Sequence, residues 1–217
     1  MWFAMPTSDG IYYRNGSGSG DLGRHASALL RSIARGDTKL GPEQKINHGA
    51  MATVYRVGSF AIKSFNRKGW SEYSRRPSVS GLPYLQASVA INEGLRLTQQ
   101  EPTYDKSTRR QYVYSAPEVY ACYVPKKYDP LNPGLCAMAY ENGSNAGAAG
   151  VDRPSIRSSL SAYHRALAAV GLRRCAVIFD EATCWNTLSR PSQKWPDVTE
   201  LIRLDVTALH DYYVDPS

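Results

Sequence analysis

The sequence predicts an α+β fold: an antiparallel sheet with one helix, followed by a shorter, mostly helical part. Three stretches carry this expectation. From Lys45 to Lys63 the pattern is that of strands, with Val54, Val57, Phe60 and Ile62 among the β-formers and Gly58-Ser59 where a two-residue hairpin turn belongs. Leu82 to Gln100 reads as a helix. Pro154 opens a stronger one, in which Ile156, Leu160, Tyr163, Leu167 and Val170 repeat at steps of four and three. Asp152 can cap its start and Gly171 ends it.

The remaining elements follow in chain order. The opening residues, 1–43, contain the run Asn15-Gly16-Ser17-Gly18-Ser19-Gly20 and read as a flexible segment. Within it Ala26, Leu29, Leu30 and Ile33 recur at helical spacing between His25 and Gly36, which predicts a short amphipathic helix docked on the domain rather than on a membrane. Tyr112 to Val124 and Leu135 to Tyr140 read as two further strands, joined by a loop through Lys127-Tyr128-Asp129-Pro130. Val177-Ile178-Phe179 and Leu201-Ile202-Arg203-Leu204 are short apolar runs, and each ends in an acid. The main domain thus spans 44–217 and divides into an N-lobe, 44–145, and a C-lobe, 146–217.

Composition narrows the function classes. A chain of 217 residues with 42% hydrophobic content buries a proper core as one compact unit. It has no apolar run of about 18 residues, and Met1 to Met5 is not followed by an apolar h-region, so neither membrane insertion nor a secretory signal peptide is expected. Cys122, Cys136, Cys175 and Cys184 are widely spaced, with no C-x-x-C pair or His cluster, and read as buried free thiols rather than metal ligands. The net charge of +7 suits an acidic partner, yet the basic pairs Arg75-Arg76, Arg109-Arg110, Lys126-Lys127 and Arg173-Arg174 are scattered. No nucleic-acid-binding pattern accompanies them, so that function is not expected.

The hairpin carries the chemistry. With Gly58-Ser59 as its turn, Val57 pairs with Phe60, Arg56 with Ala61 and Val54 with Lys63. Cross-strand partners share a face, so Val54 and Ala61 make a small apolar shelf beside one ammonium. A flat adenine over that shelf would place its phosphates near Lys63. Gly49 lies five residues before Val54, where a backbone approaches phosphate oxygens and a Cβ would obstruct it. The loop from Asn47 to Tyr55 matches G-x-G-x-x-G-x-V in part, with Asn47 and Ala52 in place of the outer glycines.

Downstream of this loop, Phe60-Ala61-Ile62-Lys63 resembles the V-A-I-K strand of protein kinases. The order of further motifs continues the resemblance. Glu93 resembles the αC glutamate that holds the lysine, and Met138 to Gly143 resembles the hinge after the fifth strand. Asp180-Glu181 followed by Asn186 resembles the catalytic loop, and Leu201 to Asp205 resembles the strand ending in the D-F-G aspartate. With twelve residues after Asp205, the chain is similar to the minimal bacterial effector kinases of the OspG and NleH group.

That resemblance implies a serine/threonine protein kinase that uses ATP with Mg²⁺ or Mn²⁺ and is delivered into a host cell by a type III-like route. A host protein is its implied substrate or docking partner, engaged through the N-lobe or the 125–134 loop. Gly49, Val54, Ala61, Lys63 and Met138 would bind nucleotide, and Asn186 and Asp205 the metal. The family's catalytic Asp stands five residues before the Asn, whereas here Asp180 is six before it and Glu181 five. Asp180 is the preferred base because its shorter side chain suits a fixed hydrogen bond, with Glu181 the alternative. Ile178 or Phe179 takes the place of the loop histidine, and Val206-Thr207 replaces Phe-Gly. A non-catalytic kinase-fold binding module and a small-molecule phosphotransferase are therefore the competing readings. The bland reading makes Lys63 a solvated strand lysine, Glu93 an exposed helix acid, and Asn186 and Asp205 turn residues.

Overall fold

The computed structural model describes residues 11–13, 20–49, 52–69, 101–106, 108–123, 125, 129–131, 133–148 and 187–204. In chain order its elements are β1 (Ile11–Tyr13), α1 (Asp21–Arg35), β2 (Lys45–His48), β3 (Ala52–Val57), β4 (Phe60–Phe65) and β5 (Thr103–Asp105). They continue with β6 (Arg110–Ser115), β7 (Val119–Tyr123), β8 (Leu135–Ala139), β9 (Ser144–Asn145), β10 (Thr187–Pro191) and β11 (Val198–Arg203). The described residues form two compact units, one from 11–69 and 118–140 and the other from 101–117 and 141–204. No helix among them is long and apolar enough to cross a membrane.

The first unit is a six-stranded sheet in the order β1-β7-β8-β4-β3-β2, with every pair antiparallel. Its centre is set by the β3–β4 hairpin. Gly58 takes φ +60 at the first turn position, the conformation that matches the right-handed twist of the flanking strands. The register is Val57↔Phe60, Arg56↔Ala61 and Val54↔Lys63, as the turn chemistry predicts. Strand β8 lies against β4 on the other side, pairing Ala61 with Met138 and Lys63 with Cys136.

Helix α1 covers one face of this sheet. Ala26, Leu30 and Ile33 pack with Phe60, Ile62, Ala121, Leu135 and Ala137 into a single core. The sequence places this helix within a flexible segment; of that segment, 11–13 instead pair as β1 with β7, and the helix is ordered by the burial of its apolar stripe. The helix also starts earlier than the apolar spacing suggests, at Asp21, whose carboxylate suits the positive end of the helix dipole. Gly36 ends it at φ +80, with its N–H donating to the Ile33 carbonyl at 3.0 Å and the Asp37 N–H to the Ser32 carbonyl at 2.9 Å.

The second unit is a mixed sheet in the order β5-β6-β11-β10-β9, in which β6 and β11 run parallel and the other pairs antiparallel. Two expectations are corrected here. Tyr112 to Val124 is not one strand, because Ala116-Pro117-Glu118 interrupts it and proline cannot donate to a ladder; β6 joins the second sheet and β7 the first. A mostly helical C-lobe is also not what its described residues form, since 187–191 and 198–203 are strands. Strand β11 lies between β6 and β10 with Leu201 and Ile202 both buried, the run of adjacent apolar residues that a covered central strand needs. The helices expected over 82–100 and 154–171 lie outside the described residues.

Candidate nucleotide site

Lys63 is the fourth residue of β4, flanked across the ladder by Val54 on β3 and Cys136 on β8. Ala61, two residues earlier, is flanked by Arg56 and Met138. The pleat puts Val54, Ala61, Lys63, Cys136 and Met138 on one face, opposite the face that α1 covers. Lys63 is only 9% exposed, so it is not the solvated strand lysine of the bland reading. Its Nζ lies 5.9 Å from the centre of the Phe65 ring, two residues along on the same face and within reach of a weak cation–π attraction.

The exit of β8 is fixed in several places. The Ala139 N–H donates to the Glu118 carbonyl at 2.7 Å, and the Tyr140 N–H donates to the Ser59 carbonyl at 3.0 Å. The Arg56 guanidinium stacks 4.2 Å from the centre of the Tyr140 ring. These contacts hold Met138 in register beside Ala61, where it extends the apolar shelf.

At the other edge, Gly49 ends β2, and its N–H donates to the Ala52 carbonyl at 2.9 Å. The His48 ring Nδ1 lies 2.8 Å from the Thr53 hydroxyl, and the His48 N–H donates to the Asn47 side-chain oxygen at 2.8 Å. Among the described residues a Cβ built at Gly49 meets the Ala52 carbonyl oxygen at 3.7 Å, an ordinary contact. Ala50 and Met51 lie outside the described residues.

A buried ammonium beside an apolar shelf is an arrangement that suits a flat ring carrying an anionic group. No protein-family model matches this chain, and no curated protein does. Among solved structures it is similar to one described as a co-crystal structure of WbdD and the kinase inhibitor LY294002, with 20% sequence identity and a TM-score of 0.33. The match covers 76% of this chain and 32% of that one, so the chain spans about a third of that protein's length. A likeness of this size assigns no family.

Glu93, Asp180, Glu181, Asn186 and Asp205 lie outside the described residues. Their nearest described neighbours are informative. Thr187, next to Asn186, opens β10, and Arg203, two residues before Asp205, closes β11; the two are register partners at one end of the ladder. Among the described residues no group of three or more His, Cys, Asp or Glu side chains could hold a metal.

Sequence reasoning missed a polar cluster in the second unit. Arg190 donates from Nε to Glu200 Oε2 at 2.7 Å and from Nη1 to Glu141 Oε2 at 2.8 Å, while the Ser115 hydroxyl donates to Glu200 Oε1 at 2.6 Å. Arg190 and Glu200 are cross-strand partners on β10 and β11, and neither they nor Glu141 carry a local signal of the cluster. Burial pushes the Glu141 carboxyl up, and Arg190 pulls part of that shift back. Arg190 holds its proton more tightly than usual, because the Glu200 and Glu141 carboxylates outweigh the effect of its own burial.

The three side chains are 22%, 19% and 15% exposed, so this cluster contributes more than a surface ion pair. Arg190→Met leaves two carboxylates without their cation and is expected to cost the second unit about 2–3 kcal/mol near neutral pH, read from urea denaturation. The deficit should shrink as pH falls, since protonating Glu141, whose carboxyl burial already pushes up, removes part of the unpaired charge. A deficit that does not change with pH would mean that the loss is one of packing alone.

Proposed function

We propose that the chain is a minimal protein-kinase-like phosphotransferase that binds ATP with Mg²⁺ or Mn²⁺ and phosphorylates serine or threonine on a host protein. The observation that carries this reading is the register that puts Val54, Ala61, Lys63 and Met138 on one face of an antiparallel sheet, with Gly49 ending the strand before. ATP supplies the phosphoryl group, and the metal neutralises its charge. Val54, Ala61 and Met138 form the apolar surface for the adenine. Lys63, held by Glu93, orients the α- and β-phosphates. Asn186 and Asp205 bind the metal, and Asp180, or Glu181 in its place, accepts the proton of the substrate hydroxyl. Catalysis of this kind is mostly positioning and charge neutralisation. Delivery by a type III-like route belongs to the same reading, through the resemblance to the effector kinases.

A non-catalytic binding module is the second reading. It is favoured by the extra residue between Asp180 and Asn186 and by Val206-Thr207 after Asp205. Two measurements separate the readings: the thermal shift given by ATP with Mg²⁺ or with EDTA, and the transfer of label from γ-labelled ATP to proteins of a host-cell lysate. The expected result is a metal-dependent shift with label on protein, and an Asp205→Ala variant that loses the metal dependence. A shift equally large with EDTA and no transfer would favour the binding module. No shift under any condition would remove the nucleotide site.

A further inference from the structure

Cys122 and Cys136 are register partners on β7 and β8, both free and both buried, with their sulfurs 3.2 Å apart. Directly opposed residues of an antiparallel ladder have Cα atoms about 4.5 or 5.5 Å apart, and both separations fall inside the range of about 4.4–6.8 Å that disulfides occupy. Bond formation requires the sulfurs to close by roughly 1 Å, which side-chain rotation can supply without a shift of register. The pair also has a defined place in the sheet. Val54, Lys63, Cys136, Cys122 and Tyr12 are successive partners across five strands, so Cys136 is the immediate neighbour of Lys63.

We propose that Cys122 and Cys136 are a redox modification site, closing reversibly to a cross-strand disulfide by exchange with a low-molecular-weight disulfide. The Cys122 thiol donates its hydrogen bond to the Cys136 sulfur, and that bond together with burial pushes the Cys122 thiol well up. One of the two sulfurs, as thiolate, attacks the small disulfide, forms a mixed disulfide and releases one small thiolate; the other then attacks the protein sulfur of that mixed disulfide and releases the second. The two protein thiols are oxidised, one small disulfide is reduced to two thiols, and the two protons leave with them. Access to buried sulfur comes through local opening of the sheet, so the exchange is slow and is read at equilibrium.

The test equilibrates the full chain in a series of glutathione to glutathione disulfide ratios, quenches with acid, alkylates the free thiols and maps the peptides by mass. The expected result is a linked Cys122–Cys136 peptide that grows with the disulfide fraction and disappears on return to excess glutathione. A rise of several degrees in Tm should accompany it, because the bond closes a short loop in the unfolded chain. Cys136→Ser should abolish the link. Two free thiols at every ratio, including after refolding from denaturant in the same buffers, would overturn the proposal. So would linkage of either residue to Cys175 or Cys184. The readout is a covalent mass and does not depend on nucleotide binding.

Discussion

Replacing Lys63 by Met is expected to lower phosphate incorporation on the order of 10³-fold while leaving Tm within a few degrees of the wild type. Methionine keeps an unbranched apolar stem between Val54 and Cys136, where Lys63 is almost wholly buried, and removes the charge together with the contacts it makes. An apolar side chain of similar length also removes the desolvation cost of the ammonium, so the net folding cost is modest. Loss of the ammonium from a phosphate-binding position has a large effect, because a fixed charge in a water-poor site holds the α- and β-phosphates in place for transfer. Lys63→Arg should recover part of the activity, since the charge returns in a different shape. Equal labelling by wild type and Lys63→Met, measured at saturating ATP with both proteins folded, would take Lys63 out of the site.

Leu30→Ala is expected to destabilise the first unit by about 3 kcal/mol. Leu30 is fully buried where α1 meets the sheet, among Ile62, Leu135 and Ala137, so truncation leaves a cavity that the strands cannot collapse to fill. Alanine is the better helix former, so the loss cannot be charged to helix propensity. Leu22, half exposed on the same helix, is the control, and Leu22→Ala should stay within about 0.5 kcal/mol of wild type. Urea denaturation of both variants checks the pair of values. If Leu30→Ala is as mild as Leu22→Ala, α1 is an appendage and not part of the core.

The hairpin was legible because two local rules agree on it: Gly58-Ser59 selects a two-residue turn, and the period of two along Val54 to Lys63 fixes which residues oppose each other. The helix of α1 and its docking on the domain were legible, but the face it covers was not. Its apolar stripe follows a Ser/Gly run whose composition suggests disorder, and only the sheet it covers shows where that stripe is buried. The break at Pro117 carried a signal in proline itself, outweighed in the reading by the β-formers on either side. The Cys122–Cys136 contact depends on the register of β7 against β8, which the loop between them does not fix as a two-residue turn would. The second sheet was hidden because its pairings are distant, since the Ser115–Glu200 hydrogen bond joins residues 85 apart in sequence. For the remaining candidate residues, Glu93, Asp180, Glu181, Asn186 and Asp205, the order of the motifs is the whole of what the sequence offers.

The parallel ladder of β6 with β11 also has a kinetic consequence. Val198–Arg203 is the central strand of its sheet, yet it reaches β6 only after a long intervening stretch of chain. Closing so large a loop costs entropy before any ladder bond compensates, so this unit has a high contact order and should be the slower of the two to form. During synthesis β6 emerges well before its partner and waits with one side of its backbone unmatched, in the condition in which strands pair with the wrong chain. The β3–β4 hairpin has no such delay. Refolding of the full chain should therefore show protection of the amides of β3 and β4 ahead of those of β6, with yields that fall as protein concentration rises.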